Sequence, residues 1–259
     1  MTTCGGAIKP ASSSFFSLEG EHVARYVWVA KHLNKKMDLL DLGCGYGYGT
    51  DFLAAAARSA VGVDTDRRGI SSAERHYKRD NLKFVLIRDL SELSAGSFDA
   101  VIALEVIEHV ADHGQFLSHV HRVLRPTGEF LMSTPNRLFT EKLYKKGRSL
   151  NPYHLREFYP KEIHALLRLF FDEVEAHAQI SPGSDNLLIE VVSKSKIPDV
   201  LRRLTPSRLK VAYLRWSGIP DSRGKWREYP IVPCEFIDGT FPVQAYRCIK
   251  HNDTDISVK

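Results

Sequence analysis

The sequence has few cysteines and no long apolar run. Its four cysteines, among 259 residues, are scattered without Cys-x-x-Cys spacing. That pattern favours neither a disulfide framework nor a zinc cluster, and it is typical of a reducing cytoplasm. No apolar run reaches the length of a membrane span, and residues 1–14 lack the basic-then-apolar pattern of a signal peptide. We therefore predict a cytoplasmic protein with no membrane span.

Length and composition indicate one domain. A chain of 259 residues, 43% hydrophobic and 26% charged, with no internal repeat, suits a single α/β domain with additions. We predict a mobile polar leader over residues 1–14 and one domain over residues 15–259. Basic residues outnumber acidic ones across residues 194–227, inside a predicted insertion, residues 194–242, before the last strand. This basic segment indicates either a solvated surface or an anionic acceptor.

A glycine-rich turn organises the chain. An apolar strand containing Asp41 runs into glycines at positions 43, 45 and 47, where a missing Cβ lets the backbone turn tightly and approach a ligand. Dinucleotide, nucleotide and S-adenosylmethionine (SAM) binders share such turns, but no Gly-Lys-Ser/Thr follows here, which argues against ATP or GTP hydrolysis. Asp64 ends the next apolar strand, where a carboxylate can accept hydrogen bonds from ribose hydroxyls. Asp41 favours SAM, because a carboxylate repels a pyrophosphate and tolerates a sulfonium.

The segment Asp41-Leu42-Gly43-Cys44-Gly45-Tyr46-Gly47 resembles motif I of class I SAM-dependent methyltransferases, in which an acidic residue precedes Gly-x-Gly-x-Gly. The resemblance implies a Rossmann-like α/β fold, with a seven-stranded, mostly parallel sheet, helices on both faces and an antiparallel last strand. It implies SAM as the cofactor and S-adenosylhomocysteine (SAH) as the product. The residues that it assigns to SAM binding are Arg25, Asp41, Gly43, Cys44, Gly45, Tyr46, Asp64, Thr65, Asp89, Leu90 and Leu104.

The pattern along the rest of the chain also predicts a parallel sheet. Apolar strands alternate with amphipathic helices through short links, which is typical of right-handed crossovers. Ligands in such sheets bind beyond the carboxyl ends of the strands, where Asp64 and Asp89 lie. A leading helix over residues 15–33 has an apolar side and a polar side, and the polar side, with Arg25 and Tyr26, faces either solvent or the SAM pocket.

A second polar group follows the fourth predicted strand. Glu105, Glu108 and His109 lie at i, i+3 and i+4, so a helical turn would project them to one side. Two carboxylates and an imidazole together need a counter-charge, and their donor atoms suit Mg²⁺ or Mn²⁺. The motif resembles the metal site of small-RNA 3′-terminal 2′-O-methyltransferases, which add a downstream histidine, and of ubiquinone-pathway O-methyltransferases. That resemblance implies Glu105, Glu108, His109 and His154 as metal ligands.

Two chemistries remain open for these residues. With a metal, Glu108, His109 and His154 would form the catalytic group that orients the acceptor hydroxyls. Many metal-free class I methyltransferases also carry Glu-x-x-Glu-His, and there His109 or His154 would act as the general base. Three histidines on the following helix are interpreted as ordinary surface residues: His113, His119 and His121.

Short motifs resemble a narrower group, the methyltransferases found with surface-polysaccharide and glycosyltransferase enzymes. They are Glu21-His22-x-x-Arg25-Tyr26, Asn151-Pro152-Tyr153-His154 with Glu157-Phe158, then Gln179 and Gly183-Ser184. The resemblance implies a sugar hydroxyl on a small-molecule or glycan acceptor, anionic where it meets the basic segment. The alternatives are the 3′-terminal ribose of an RNA, a phenol or amine methylated without metal, and a non-catalytic SAM-binding module. No RNA-module motif or interleaved aromatics accompany the basic segment, and no feature predicts an oligomeric state.

Overall fold

The computed structural model describes residues 19–143, 151–181, 225–234 and 241–251. The predicted leader lies outside these ranges, as do Gly183, Ser184 and most of the basic segment. None of the helices in the described ranges has the length and apolarity that crossing a bilayer requires.

One mixed sheet runs through the described structure. Its strands are β1 (Asp38–Leu42), β2 (Ser59–Asp64), β3 (Leu82–Leu86), β4 (Phe98–Leu104), β5 (Leu124–Pro135), β6 (Glu173–Gln179), β7 (Ile231–Pro233) and β8 (Val243–Ile249). They lie in the order β3-β2-β1-β4-β5-β8-β6-β7. The first five are parallel, and β8 is antiparallel to both β5 and β6. This order confirms the Rossmann-like class I methyltransferase fold, with its antiparallel last strand.

The edge strand β7 is an additional strand, which the prediction of a seven-stranded sheet does not include. It lies within a proline- and glycine-rich segment and pairs antiparallel with β6, placing Gln179 opposite Ile231. The described sheet therefore has eight strands. Three residues are too few to display a strand's alternating pattern in the sequence. Proline at position 233 is tolerated because an edge strand has a side that needs no backbone partner.

Six helices flank the strands in the described ranges: α1 (Gly20–Ala30), α2 (Tyr48–Ala54), α3 (Arg67–His76), α4 (His113–Val123), α5 (Arg137–Leu143) and α6 (Pro160–Leu167). Local capping explains several of their starts. The Asp66 side chain accepts from Arg68 N at 3.0 Å and begins α3, and Asp112 accepts from Gln115 N at 2.9 Å and begins α4. Proline at the first turn begins α6.

The core lies on both faces of the sheet. Neighbouring residues of β1 show this, because Leu39 packs with α1 and α2 whereas Leu40 packs with α4 and α6. Strand residues that are buried on both faces explain the nearly continuous apolar runs in the sequence. The ends of the parallel strands are therefore held rigidly between two helical layers.

Helix α1 is buried on its polar side as well as on its apolar side. Arg25 and Tyr26 are both buried, so the interpretation of these two residues as a solvated charged face is wrong. Tyr26 lies directly over α2, where an added Cβ on Gly49 would come within 2.0 Å of the tyrosine ring. This close packing seats α1 across the carboxyl edge of the sheet.

Candidate active site

The glycine-rich turn joins β1 to α2 at the carboxyl edge of the sheet. Gly43, Gly45 and Gly47 have φ angles of 69°, 55° and 81°, a region that other residues rarely adopt. At Gly47 a Cβ would also lie 2.6 Å from Ala73 and 2.7 Å from Phe84. Both the backbone conformation and the close packing therefore require glycine, as the sequence predicts.

Asp64 closes this turn from the end of β2. Its Oδ2 accepts from Gly45 N at 2.8 Å, and its Oδ1 accepts from Asp66 N at 2.8 Å. A carboxylate has about four acceptor positions, so these two bonds leave room for ribose hydroxyls. The next residue, Thr65, is exposed beside it. The structure thus positions Asp64 where the sequence predicts the ribose contact.

Asp41 lies beneath the turn and is 1% exposed. Its Oδ2 accepts from Thr50 Oγ1 at 2.6 Å, and Tyr26 also hydrogen-bonds to it. Burial, followed by the negative charge of Asp64, raises the pKa of Asp41 to about 7. Near neutral pH the carboxyl is therefore only partly ionised, and its main contacts join β1 to α1 and α2.

The other residues predicted to bind SAM lie at neighbouring strand ends. Asp89 follows β3, and its Oδ1 accepts from Ser91 N at 2.7 Å, beginning a short helical turn at Leu90. Leu104 is the last residue of β4. Tyr46 is half-buried in the turn, and burial raises the pKa of the neighbouring Cys44 thiol, which is therefore neutral.

Arg25 reaches this edge from α1 and approaches Glu105. The guanidinium Nη1 lies 3.9 Å from Glu105 Oε1. Glu105 directly follows β4 with a φ of 57°, and its Oε1 accepts from Ser133 Oγ at 2.8 Å. A positive φ at a residue other than glycine is strained and is often found at functional sites.

Three of the four predicted metal ligands come together. One ligand atom from each of Glu108, His109 and His154 lies within 4.8 Å of the others. Glu105 is not part of this cluster; its carboxylate bonds Ser133 and faces Arg25 instead. Glu108 is fully buried, and its Oε2 accepts from Thr134 Oγ1 at 3.0 Å, whereas its Oε1 has no hydrogen-bond partner among the described residues.

Burial raises the pKa of Glu108 well above its usual value, and the negative charge of Glu105 raises it further. A buried carboxylate with an unpaired oxygen is costly, because a lost hydration shell must be replaced by a proton or a cation. Next to two imidazoles, this donor set of one oxygen and two nitrogens fits a divalent metal ion.

Hydrogen bonds at Nδ1 of each ring orient the two histidines. His109 Nδ1 lies 2.8 Å from the carbonyl oxygen of Tyr153, and His154 Nδ1 lies 2.7 Å from Glu157 Oε1. The two ring centroids are 4.9 Å apart. Such partners fix an imidazole with its Nδ1 protonated, so that Nε2 is the nitrogen that can ligate a metal or take up a proton.

The segment carrying His154 is held through its backbone against the turn that follows β4. Leu155 N and Arg156 N both donate to the carbonyl oxygen of Glu108, at 2.8 and 3.2 Å. Phe158 is buried and bridges in parallel to Asn136. These backbone contacts bring His154 beside the Glu-x-x-Glu-His motif, although the two segments are far apart in the sequence.

The interpretation of the histidines on α4 as ordinary surface residues is wrong for His113. Its ring packs edge-on against Phe158 with centroids 4.9 Å apart, and its Nε2 is buried with no partner among the described residues. Burial lowers the pKa of His113. His119 and His121 are half-buried as well.

Two hydroxyl groups in the site carry no functional mark in the sequence: Ser133 Oγ donates to Glu105, and Thr50 Oγ1 donates to Asp41. Both hydroxyls are fully buried, and the only signal in the sequence is their position at the end of an apolar strand or the start of a helix. A hydroxyl there more often caps a backbone group. Its role becomes visible only when the facing carboxylate is in place.

The comparisons with known proteins agree with this geometry. Residues 40–132 match the family model described as a methyltransferase domain. A Mycolicibacterium smegmatis protein, named a probable S-adenosylmethionine-dependent methyltransferase, is 41% identical over 53% of this chain and 52% of its own length. The ubiquinone biosynthesis O-methyltransferase of Rickettsia akari is 34% identical over 52% of this chain and 53% of its own length. The chain spans about half the length of the curated relatives it matches.

Among solved structures, the YcgJ protein of Bacillus subtilis is similar over 88% of this chain and 99% of its own, with a TM-score of 0.55 and 17% identity. At this identity the likeness shows the fold alone. The matched segment contains the glycine turn, Asp64 and the Glu-x-x-Glu-His motif. The sheet order shows the Rossmann-like class I methyltransferase fold, and the segment 40–132 within it is similar to the methyltransferase-domain family.

Proposed function

We propose that this protein transfers a methyl group from SAM to a hydroxyl of a sugar or glycan, with a divalent metal ion held by Glu108, His109 and His154. The observation that carries the proposal is the cluster of these three side chains, in which one ligand atom from each lies within 4.8 Å of the others. One of the three, Glu108, also has a buried carboxylate oxygen without a partner among the described residues. The cluster follows β4, next to the strand that leads into the glycine turn.

Different residues of the chain would bind the methyl donor and the methyl acceptor. The glycine turn and Asp64 would bind the adenosine part of SAM, and Arg25 would face its carboxylate. A bound Mg²⁺ or Mn²⁺ would supply positive charge that orients two adjacent hydroxyls and lowers the pKa of one of them. His109 and His154, with their rings fixed by Tyr153 O and Glu157, would keep the acceptor oxygen aligned for in-line displacement.

An oxygen acceptor with neighbouring hydroxyls suits the mixed oxygen and nitrogen donor set. The Rickettsia akari relative is named for O-methylation, which supports oxygen as the accepting atom. The motifs shared with polysaccharide-associated methyltransferases, including Asn151 to His154 and Gln179, support a sugar. The lysines and arginines concentrated in residues 194–227 of the sequence would attract such an acceptor if it carries phosphate or carboxylate groups.

The runner-up acceptor is the 3′-terminal ribose of an RNA. A ribose end is also a vicinal diol, and lysines and arginines are concentrated in residues 194–227, most of which lie outside the described residues. Phenol or amine methylation without metal ranks behind both. In that reaction Nε2 of His109 would be the general base, because burial lowers the pKa of this histidine and keeps it neutral.

Methyl transfer from SAM onto sugar nucleotides, glycans and short RNAs, in Mg²⁺, Mn²⁺ or excess EDTA, tests the proposal. We expect turnover on a sugar acceptor that EDTA abolishes and Mg²⁺ restores. Glu108→Gln should be inactive in every buffer. Turnover that EDTA leaves unchanged would overturn the metal role and favour His109 as the base. Activity confined to RNA 3′ ends would replace the sugar by the runner-up.

A further inference from the structure

Arg25 is a buried arginine with most of its donors unpaired among the described residues. It is 5% exposed, and its Nε donates to Gln179 Oε1 at 2.8 Å. Within the described residues its terminal nitrogens make no hydrogen bond, since the facing Glu105 oxygen is 3.9 Å away, beyond hydrogen-bond length. The terminal nitrogens can therefore donate to an anionic ligand at this edge of the sheet.

Glu105 carries the negative charge that faces Arg25, and its own hydrogen bonds to Ser133 hold it in place. Its N–H donates to the Ser133 carbonyl oxygen at 3.0 Å, and its Oε1 accepts from Ser133 Oγ at 2.8 Å. These two bonds hold the strained backbone and the carboxylate together. Arg25 and Glu105 are therefore opposite charges that their own anchors keep slightly apart.

Gln179 is the anchor of Arg25 and comes from a distant strand. It is 1% exposed at the end of β6. Its Oε1 accepts from Arg25, and its Nε2 donates to the carbonyl oxygen of Glu21 at 2.9 Å. The two partners fix which end of the amide is oxygen, and they lie one helical turn apart on α1. One side chain thus sets both the position of α1 and the direction of the guanidinium.

The charged pair adjoins the glycine turn. Val106, next to Glu105, lies so close to the turn that a Cβ on Gly43 would be 2.9 Å from its side chain. Tyr26, next to Arg25, covers Gly49 at the start of α2. Arg25 and Glu105 therefore flank the turn that leads from β1, on the side of β4.

We propose that Gln179 is a positioning residue of the donor site, which holds Arg25 opposite Glu105 so that the pair recognises the carboxylate and the ammonium of the amino-acid end of SAM. This inference rests on the proposed function, because it requires SAM as the donor. It gives Glu105 a task other than metal binding. The amino-acid end of SAM has a negatively charged carboxylate, which accepts hydrogen bonds, and a positively charged ammonium, which donates them. The carboxylate matches the guanidinium of Arg25, and the ammonium matches the carboxylate of Glu105.

Calorimetric binding of two ligands, in EDTA, tests the inference. SAH has the amino-acid end, whereas 5′-methylthioadenosine lacks it and keeps the adenosine and sulfur. For Gln179→Leu we expect SAH affinity to fall about tenfold or more, as for a lost hydrogen bond to a charged group. Affinity for 5′-methylthioadenosine should stay within about twofold of the wild type. An equal loss for both ligands would mean a structural role and would overturn the inference.

A double-mutant cycle separates positioning from direct contact. Once Arg25→Ala has removed the guanidinium, adding Gln179→Leu should lower SAH affinity no further. Additive losses would contradict the inference. If Gln179→Leu does not fold, Gln179→Glu and Glu105→Gln serve instead. Glu105→Gln should weaken SAH selectively without metal, and an unchanged SAH affinity in this variant would return Glu105 to its predicted metal role.

Gln244→Leu is the matched control. Gln244 is an equally buried glutamine on β8, and its Nε2 bonds the carbonyl oxygens of Pro135 and Phe158 rather than Arg25. We expect its ratio of SAH to 5′-methylthioadenosine affinity to equal that of the wild type. A wild-type protein that binds neither ligand would refute the proposed function itself. A protein that binds both, with no selective loss in Gln179→Leu, would refute only this inference.

Discussion

At the scale of single residues, the buried carboxyl of Glu108 is the most informative group. Its Oε1 has no hydrogen-bond partner among the described residues, and burial raises its pKa. A cation bound to Glu108, His109 and His154 would replace the missing partner. Since a ligand that binds only the folded state stabilises it by mass action, metal binding should be visible without any acceptor.

We expect Mg²⁺ or Mn²⁺ at about 100 times its Kd to stabilise the wild type by about 2.7 kcal/mol, which is a rise in Tm of several degrees. Glu108→Gln should abolish that rise, because it removes the ligand charge and preserves the side-chain volume. Glu175→Gln is the control, since Glu175 is an exposed carboxylate that pairs with Arg247 on the sheet. Differential scanning fluorimetry provides the measurement. A metal-dependent rise that persists in Glu108→Gln would exclude this cluster as the site.

At the scale of elements, α1 depends on the absence of a side chain at Gly49. The ring of Tyr26 occupies the place of the missing Cβ, with ring atoms 2.0, 2.3 and 2.5 Å from it. The ring cannot simply rotate away, because its hydroxyl also bonds the buried Asp41. The seating of α1 thus determines where Arg25 meets the edge of the sheet.

Gly49→Ala should therefore destabilise the fold by about 1–3 kcal/mol or more, as overpacking in a close-packed core does. It should also weaken SAH binding, because α1 moves with Arg25. Gly114→Ala is the matched control within a helix. The nearest atom to its added Cβ is Asp112 Oδ1, at an ordinary 3.5 Å, so we expect a neutral or slightly stabilising change. Urea unfolding measures both variants, and an equal effect at the two positions would contradict the packing argument.

The sequence predicts the elements of this edge better than their contacts. The glycine turn and Asp64 carry local requirements, namely positive φ and a strand-end carboxylate, which a motif records directly. The polar side of α1 is different, because an amphipathic pattern shows only which side of the helix is polar. It does not show whether that side contacts water or a buried polar residue. Its partner Gln179 lies 154 residues away, and only the folded sheet brings the two together.

At the scale of the whole molecule, the contact between the segment 151–158 and the turn after β4 is also non-local. The Glu108 carbonyl oxygen accepts from Leu155 N and Arg156 N, bonds that no side-chain pattern encodes. Resemblance predicts that His154 joins His109, whereas spacing alone leaves it a lone histidine. The same resemblance predicts Glu105 in the cluster, and the structure turns that carboxylate towards Arg25 because Ser133 bonds it.

At the scale of the whole molecule, the pH dependence of stability combines buried groups of two kinds, which act in opposite directions over the same acidic range. Burial lowers the pKa of His113 and His177 below the usual 6.5. The unfolded chain then binds more protons, and stability is lost as the pH falls below 6.5. Burial raises the pKa of Asp41 from 3.8 to about 7. The folded chain then binds more protons, and stability is lost as the pH rises from about 4 to 7.

Asp41→Asn isolates the second contribution. The amide oxygen can still accept from Thr50 Oγ1, but it cannot ionise, so the variant lacks the cost of a buried charge. We expect its Tm relative to the wild type to increase steadily from about pH 4 to 7 and to level off about one pH unit above the folded-state pKa of about 7, because Asp41 is then ionised in both states. A Tm difference that is constant across this range would mean that the Asp41 carboxyl keeps its ordinary pKa, and that its bonds to Thr50 and Tyr26 outweigh its burial.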